Sequence, residues 1–397
     1  MSARPDVRRP IGLGLVLACL AGTLAVGYAT KAACVDAPWT GQQYTTRCYT
    51  DIIPLFATEQ LDDDRLPYLD ACAPTTFQCD EYPVVTMYAM RLAAWASSTY
   101  ADFFRWNVVL LAIAALIATV ALHAMVGERA LYLALAPTLA LHAFTNWDLL
   151  AVAAATAATW AASRRRDLLA GLGIGVGVAT KLYPGLLLLP FLAQRWREGD
   201  RRGAGRMAAG AAGTWLALNV PFALLAGDGW SRFFRFNTTR TADWDSLWFI
   251  GCHQLTGNLG CTDTQLVNVA SAVLFVVSVA LVWWIKRRVD PDFARWTAAF
   301  PVLVLFLLSN KVYSPQYSLW LLPWFALALP DLLLFSLFAV TEVAVFFARF
   351  SWFVSYGGGD GVKIEAFEVA VLARTVVLIA CLVAWITTRT GREAEAP

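Results

Sequence analysis

The chain has 397 residues, 58% of them hydrophobic with 17 Trp and 23 Phe, and a formal net charge of +2. So apolar a composition excludes a water-soluble globular domain and predicts an all-α polytopic membrane protein, while the near-neutral charge offers no basis for binding nucleic acid. Arginine outnumbers lysine 26 to 5 amid abundant alanine, a bias that suggests a GC-rich bacterial genome and hence a bacterial plasma membrane.

The first apolar stretch, 11–30, follows Arg4, Arg8 and Arg9. It is longer than a signal-peptide core and lacks a small-residue cleavage site, so it reads as a retained helix. Residues 31–103 then form a first extracytoplasmic loop. Between 31 and 80 it carries eight acids against three bases, Lys31, Arg47 and Arg65. Asp51 stands apart among those acids because Tyr49 precedes it and Ile52-Ile53-Pro54 follows. Such neighbours would hold the carboxylate at a membrane surface, where partial desolvation tunes its pKa and packing fixes its direction, as a general base requires. The competing reading is a solvated loop acid. The Asp62-Asp63-Asp64 run reads as solvated, although three acids could recruit a divalent ion.

The stretch 82–100 contains Pro83 and Arg91 and would break the later parity if it crossed. It is expected to lie on the outer surface as an amphipathic helix, with Arg91 on its wet face. Spans then follow at about 104–125, 130–145, 147–163, 168–182, 184–195, 207–226, 265–285, 295–310, 317–330, 331–350 and 367–387. With the first, that makes about 12 crossings in one integral-membrane domain over 1–397, with both termini inside. Inside segments collect Arg164–166, Arg195, Arg197, Arg201, Arg202, Arg206, Lys286, Arg287, Arg288 and Arg295. With Arg4, Arg8, Arg9, Arg129, Arg389 and Arg392 they hold 18 of the 31 basic residues, as the positive-inside rule demands. Several spans are too short for a perpendicular crossing and imply a cleft at the outer face.

Six cysteines, Cys34, Cys48, Cys72, Cys79, Cys252 and Cys261, fall in two loops assigned outside, whereas Cys19 and Cys381 lie within spans. Confinement to one side predicts disulfides. The simplest pairing is Cys72–Cys79 and Cys252–Cys261, leaving Cys34–Cys48, although six cysteines allow about 15 pairings. A zinc site is the alternative, weakened by the lack of a CxxC pair.

Polar clusters gather at the expected outer face. Asn146-Trp147-Asp148 sits between two short spans, where Asp148 either faces the cleft or caps the next helix. Lys181-Leu182-Tyr183-Pro184 and Lys311-Val312-Tyr313-Ser314-Pro315, followed by Gln316 and Tyr317, each place a Lys and a Tyr two apart before a Pro. An ammonium with a phenol hydroxyl suits a phosphate oxygen, while the bland reading is an interfacial snorkelling Lys. A second large outer loop, 227–264, alternates aromatics with Arg232, Arg235, Arg240 and Asp245. That pattern suits sugar binding and an interfacial belt equally. No P-loop, dinucleotide fingerprint or HExxH motif is present, and the inside loops are too short for a soluble catalytic domain.

Tyr49-Thr50-Asp51, Glu81-Tyr82-Pro83, Asn146-Trp147-Asp148, Ala179–Pro184 and Asn310–Tyr317, in that order along nearly the whole chain, resemble glycosyltransferase family 87 of the GT-C superfamily. The resemblance implies the GT-C fold, with juxtamembrane helices in the first outer loop. It also implies transfer of a sugar, mannose before arabinofuranose or another, from a polyprenyl-phosphate donor to an envelope glycolipid or glycan, with inversion. In it Asp51 is the catalytic base, and Lys181, Tyr183, Lys311 and Tyr313 hold the donor phosphate. Candidates for sugar and acceptor contacts are Glu81, Tyr82, Asn146, Trp147, Asp148, Arg232, Arg235, Arg240, Asp245, Gln316 and Tyr317. No cofactor or metal is implied if those cations suffice. Val84 stands where a second Pro is commoner in the family, and the cysteines are not general to it. A lipid-linked-sugar flippase would instead show inverted repeats, which the chain lacks; a non-catalytic assembly partner would not require Asp51.

Overall fold

The computed structural model describes residues 11–37, 39–73 and 79–389, and among them every regular element is helical. Arg4, Arg8, Arg9 and Arg392 lie outside the described residues. The first helix, α1 (Leu13–Ala32), is followed by three short ones, α2 (Gln42–Thr45), α3 (Ile52–Thr58) and α4 (Val84–Trp95). Next come α5 (Tyr100–Val126), α6 (Leu131–Ala134), α7 (Pro137–His142), α8 (Asp148–Ser163), α9 (Asp167–Thr180), α10 (Leu188–Arg197) and α11 (Arg201–Leu225). The second half holds α12 (Gly227–Thr239), α13 (Leu247–Thr256), α14 (Thr264–Val289), α15 (Ala299–Ser309), α16 (Leu322–Ala328), α17 (Leu332–Tyr356) and α18 (Ile364–Thr387).

Six helices among the described residues are long and apolar enough to cross a membrane: α1, α5 with its short continuation, α11, α14, α17 and α18. Three shorter apolar helices accompany them, at Asp148–Ser163, Asp167–Thr180 and Arg295–Ser309. The expected spans at 130–145, 184–195 and 317–330 are not continuous helices. Pro137 opens α7 after a break, and 3₁₀ turns at Tyr183–Leu187 and Pro315–Trp320 precede α10 and α16. Each break falls at a proline, whose missing N–H and fixed φ interrupt the ladder. Broken backbone at membrane depth needs protein around it, and Pro184, Pro315 and Trp320 are all buried.

The centre is packed through glycine. On α9, Gly171 and Gly175 meet the α11 backbone at Met207 and Ala211, whereas Gly173 and Gly177 meet Ala158 and Pro184. Two small-residue rows four apart thus let α9 approach neighbours on both sides, where a Cβ would collide. By contrast, α14 turns Leu266, Val269, Val273, Val276 and Val277 outward as an exposed apolar face suited to lipid.

The molecule has two chemically distinct ends. At one, Arg165 pairs with Glu198 at 2.6 Å, Arg195 with Asp167 at 2.7 Å and Arg197 with Asp292 at 3.0 Å, so the basic clusters meet one another. The other end carries α2, α3, α4, α12 and α13 and the disulfides Cys34–Cys48, Cys72–Cys79 and Cys252–Cys261, the pairing the spacing favoured. Cys19 and Cys381 are free. The α4 helix is indeed short and flanked by loops, but its placement differs from a surface helix with a wet arginine. Val84, Met87 and Met90 are buried, Thr86 donates to the Thr180 carbonyl at 2.7 Å, and the Arg91 side chain is 15% exposed, bonded to Asp64. α4 packs against α5 and α9, and Arg91 turns back to the loop before it, donating to the Asp64 carboxylate at 3.1 Å.

Candidate active site

Asp51 is held from four directions. Cys48, immediately before Tyr49, is tied to Cys34 just beyond α1. Lys31 Nζ donates to the Tyr49 carbonyl at 2.7 Å, the Thr50 hydroxyl donates to the Phe144 carbonyl at 2.7 Å, and Asp51 N–H donates to the Thr145 carbonyl at 2.8 Å. Downstream, Ile52, Ile53 and Phe56 are buried, with Phe56 stacked on Phe103 at 4.5 Å. The apolar run after the acid is thus an anchor into the helix bundle.

Although Asp51 is the N-cap of α3, its carboxylate makes no capping bond. It accepts instead from Tyr49 Oη on Oδ1 and from Asn146 Nδ2 on Oδ2, both at 2.7 Å. Asn146 Nδ2 also reaches Tyr82 Oη at 2.8 Å, and its Oδ1 accepts from Trp147 N–H at 2.6 Å, so the amide is oriented before it meets the acid. Burial pushes the Asp51 carboxyl above its ordinary value, against the opposing pull of the Asn146 and Tyr49 donors and of the Lys181 and Arg349 charges. Among the described residues no cation is paired with it directly. Its remaining lone pairs border a small cavity of ≈ 60 Å³, shared with Lys31, His142, Ser314, Gln316 and Arg349. A raised pKa, fixed direction and access to a polar cavity equip Asp51 to take a proton from a hydroxyl.

Asp148 is built differently. Its carboxylate is fully buried, ion-paired with Lys181 Nζ at 2.8 Å and bonded by Trp320 Nε1 at 2.6 Å. Lys181 also lies over the Tyr317 ring, 4.7 Å from its centroid, and Trp320 is sandwiched between Tyr183 at 4.2 Å and Tyr317 at 4.0 Å. Lys181 and Lys311 line one groove of ≈ 370 Å³ together with Tyr183, Tyr317 and the apolar rings of Phe233, Phe275 and Phe306. Lys311 Nζ donates to the Arg240 carbonyl at 2.6 Å, and burial with the neighbouring Arg240 charge lowers its pKa to about 8. Two ammonium groups in a groove that is also lined by aromatic rings suit a phosphate with a hydrocarbon tail.

The remaining sequence candidates divide. Tyr82 and Asn146 join Asp51 directly, Gln316 lines its cavity, and Trp147 braces the group from beneath, giving Nε1–H to Asn107 at 2.6 Å. Glu81 is partly buried beside Arg240, and burial raises its carboxyl to about 7. Tyr313 turns away from the lysine groove: its hydroxyl donates to Glu342 at 2.9 Å and Arg374 covers its ring at 3.7 Å. Arg232 and Arg235 are occupied by Asp228, and Arg232 also nears Asp80, not Asp51. Asp245 is fully buried and pairs with Arg349, while its carbonyl accepts from Arg374 at 2.6 Å. Asp62, Asp63 and Asp64 are exposed, and no group of three His, Cys, Asp or Glu among the described residues is arranged to hold a metal.

Lys31, His142 and Arg349 were not singled out from sequence, yet all three line the Asp51 cavity. For Arg349 a signal existed. Charges within apolar spans are costly and tend to mark functional sites, and Arg349 and Glu342 both lie in α17.

Residues 81–310 match the model of glycosyltransferase family 87. Asp51 precedes that segment and lies outside the match. No curated protein matches the chain. Among solved structures, ArnT from Cupriavidus metallidurans bound to undecaprenyl phosphate is similar at TM-score 0.47 and 12% identity, over 95% of this chain and 77% of that one. The apo form of the same protein is similar at TM-score 0.41 and 13% identity, over 94% and 76%.

Proposed function

The chain belongs to glycosyltransferase family 87, and on that premise we propose that it moves a sugar, mannose first, from a polyprenyl-phosphate carrier to a cell-envelope acceptor at the outer face of a bacterial plasma membrane. The observation that carries this reading is an oriented carboxylate without an ion pair, Asp51, together with a separate groove lined by Lys181 and Lys311. In the proposed step an acceptor hydroxyl gives its proton to Asp51 as its oxygen bonds to the anomeric carbon. The bond from that carbon to the phosphate oxygen breaks, its electron pair leaves with polyprenyl phosphate, and the centre inverts. Charge grows on the phosphate as the bond opens, so lysines already in place stabilise the transition state more than the ground state. Tyr49 and Asn146 keep the base directed, and no metal enters the scheme.

The placement at the outer face is supported by the gathering of the basic clusters at the end remote from Asp51 and of the disulfides at the same end as it. Purified protein should release polyprenyl phosphate from synthetic polyprenyl-phosphate mannose only when an acceptor is present. Release from the arabinofuranose analogue instead would replace the sugar. Release from neither, in folded protein, would end the proposal.

A further inference from the structure

A second cavity system opens beside Asp51, distinct from the lysine groove. The ≈ 60 Å³ cavity at the carboxylate shares Tyr49 and Arg349 with a neighbour of ≈ 700 Å³. The larger one is walled by the rings of Tyr44, Trp244, Phe353 and Tyr356 and rimmed by the 40–45 and 357–359 segments. Those rim segments lie outside the long helices and are largely exposed, as is Tyr356 at 64%, so the mouth opens beyond the apolar spans. Its size is that of a small-ligand site. Rings interspersed with Thr, Gln and Arg suit a ligand with C–H faces and many hydroxyls, not a hydrocarbon tail.

The inner end gives an independent indication. His142 is 2% exposed and lines the Asp51 cavity, and neither of its ring nitrogens has a hydrogen-bond partner among the described residues. A buried polar group left so is costly, and beside Asp51, Ser314 and Gln316 it forms a wall suited to hydroxyls.

We propose that these joined cavities are the acceptor site and that the acceptor is an oligosaccharide. Its inner sugars stack on Tyr44, Trp244 and Tyr356. Its terminal sugar passes between Tyr49 and Arg349 and offers its hydroxyls to Asp51, His142 and Gln316. The inference rests on the transferase reading, and it gives each substrate its own cavity: saccharide here, lipid phosphate at Lys181 and Lys311.

Binding is tested apart from turnover. The full chain in lipid nanodiscs, without donor, is titrated with linear mannotetraose and arabinofuranotetraose, followed by saturation-transfer NMR. One tetrasaccharide should bind saturably, and about tenfold more tightly than its methyl monosaccharide. Tyr356→Ala, at an exposed position where folding is least at risk, should weaken it about tenfold, or about 1.4 kcal/mol. His142→Phe should abolish saturation transfer to the terminal sugar. Equal binding of tetrasaccharide by unsubstituted and Tyr356→Ala protein overturns the proposal, as does no binding of either probe. In the transfer assay, a Tyr356→Ala enzyme with an unchanged acceptor KM on an oligosaccharyl lipid also overturns it, while leaving the transferase reading intact. Saturable tetrasaccharide binding without any transfer would sink the transferase reading instead.

Discussion

Asp51 and Asp148 are both removed from bulk water near one end of the molecule, yet their surroundings are of opposite kinds. Asp148 is ion-paired with Lys181 at 2.8 Å and held by Trp320. Asp51 has two uncharged donors, Tyr49 and Asn146, and its nearest cations act only at a distance. A paired carboxylate fixes a cation in place, and an unpaired one with a raised pKa is free to accept a proton.

The largest effect expected from this contrast is at Asp51 itself. Asp51→Asn preserves shape but not basicity, so turnover should fall by about 10²–10⁴-fold while donor binding, followed by equilibrium dialysis, persists. Near-normal turnover in folded protein would move the base to Asp148 or Glu81 and erase the contrast.

Next comes the cation that Asp148 holds. Lys181→Gln strands a buried carboxylate and removes one of the two ammoniums in the groove, so donor KM should rise about 10- to 100-fold, by the usual strength of a charged hydrogen bond. The variant should also melt earlier, because breaking a buried pair costs roughly 3–5 kcal/mol. Lys311→Gln should raise donor KM less and leave the melting point nearly unmoved, since its partner is a carbonyl. If both variants handle donor normally, the groove does not bind phosphate.

The contrast is sharpened by pH. If Asp51 is the base we propose, it must be ionised, and kcat/KM should fall about tenfold per unit as pH drops below its pKa. The Asn146 amide favours the charged form and so lowers that pKa. Asn146→Ala should therefore move the acid limb to higher pH. An unmoved or downward-shifted limb would show that another group titrates.

The smallest effect is expected from the exposed acids. Asp62, Asp63 and Asp64 changed together to Asn should leave turnover nearly unchanged, with the main stability cost at Asp64, whose exposed pair with Arg91 is worth about 0–1 kcal/mol. A metal-dependent loss in that triple variant would revive the divalent-ion reading.

Much of the candidate site is legible in short stretches of the chain. Tyr49-Thr50-Asp51, Tyr82, Asn146 and Gln316 all meet, and both lysines share a groove. Tyr313 does not follow Lys311, because the intervening backbone turns the two side chains to opposite sides, one to the groove and one to Glu342. Arg232 and Arg235 look available in a loop of alternating charge and ring, but as helical neighbours of Asp228 they are satisfied by its carboxylate.

By itself the sequence determined what depends on composition and local pattern: an all-helical membrane protein, its ends marked by arginine clusters and paired cysteines. Tertiary structure alone decided that Lys31, His142 and Arg349, from three different helices, surround one carboxylate. It also decided that Asp51 lacks the ion pair that Asp148 has. Whether a charge is paired depends on side chains far apart in the chain, brought together by helix packing such as the glycine rows of α9, and no local pattern carries that information.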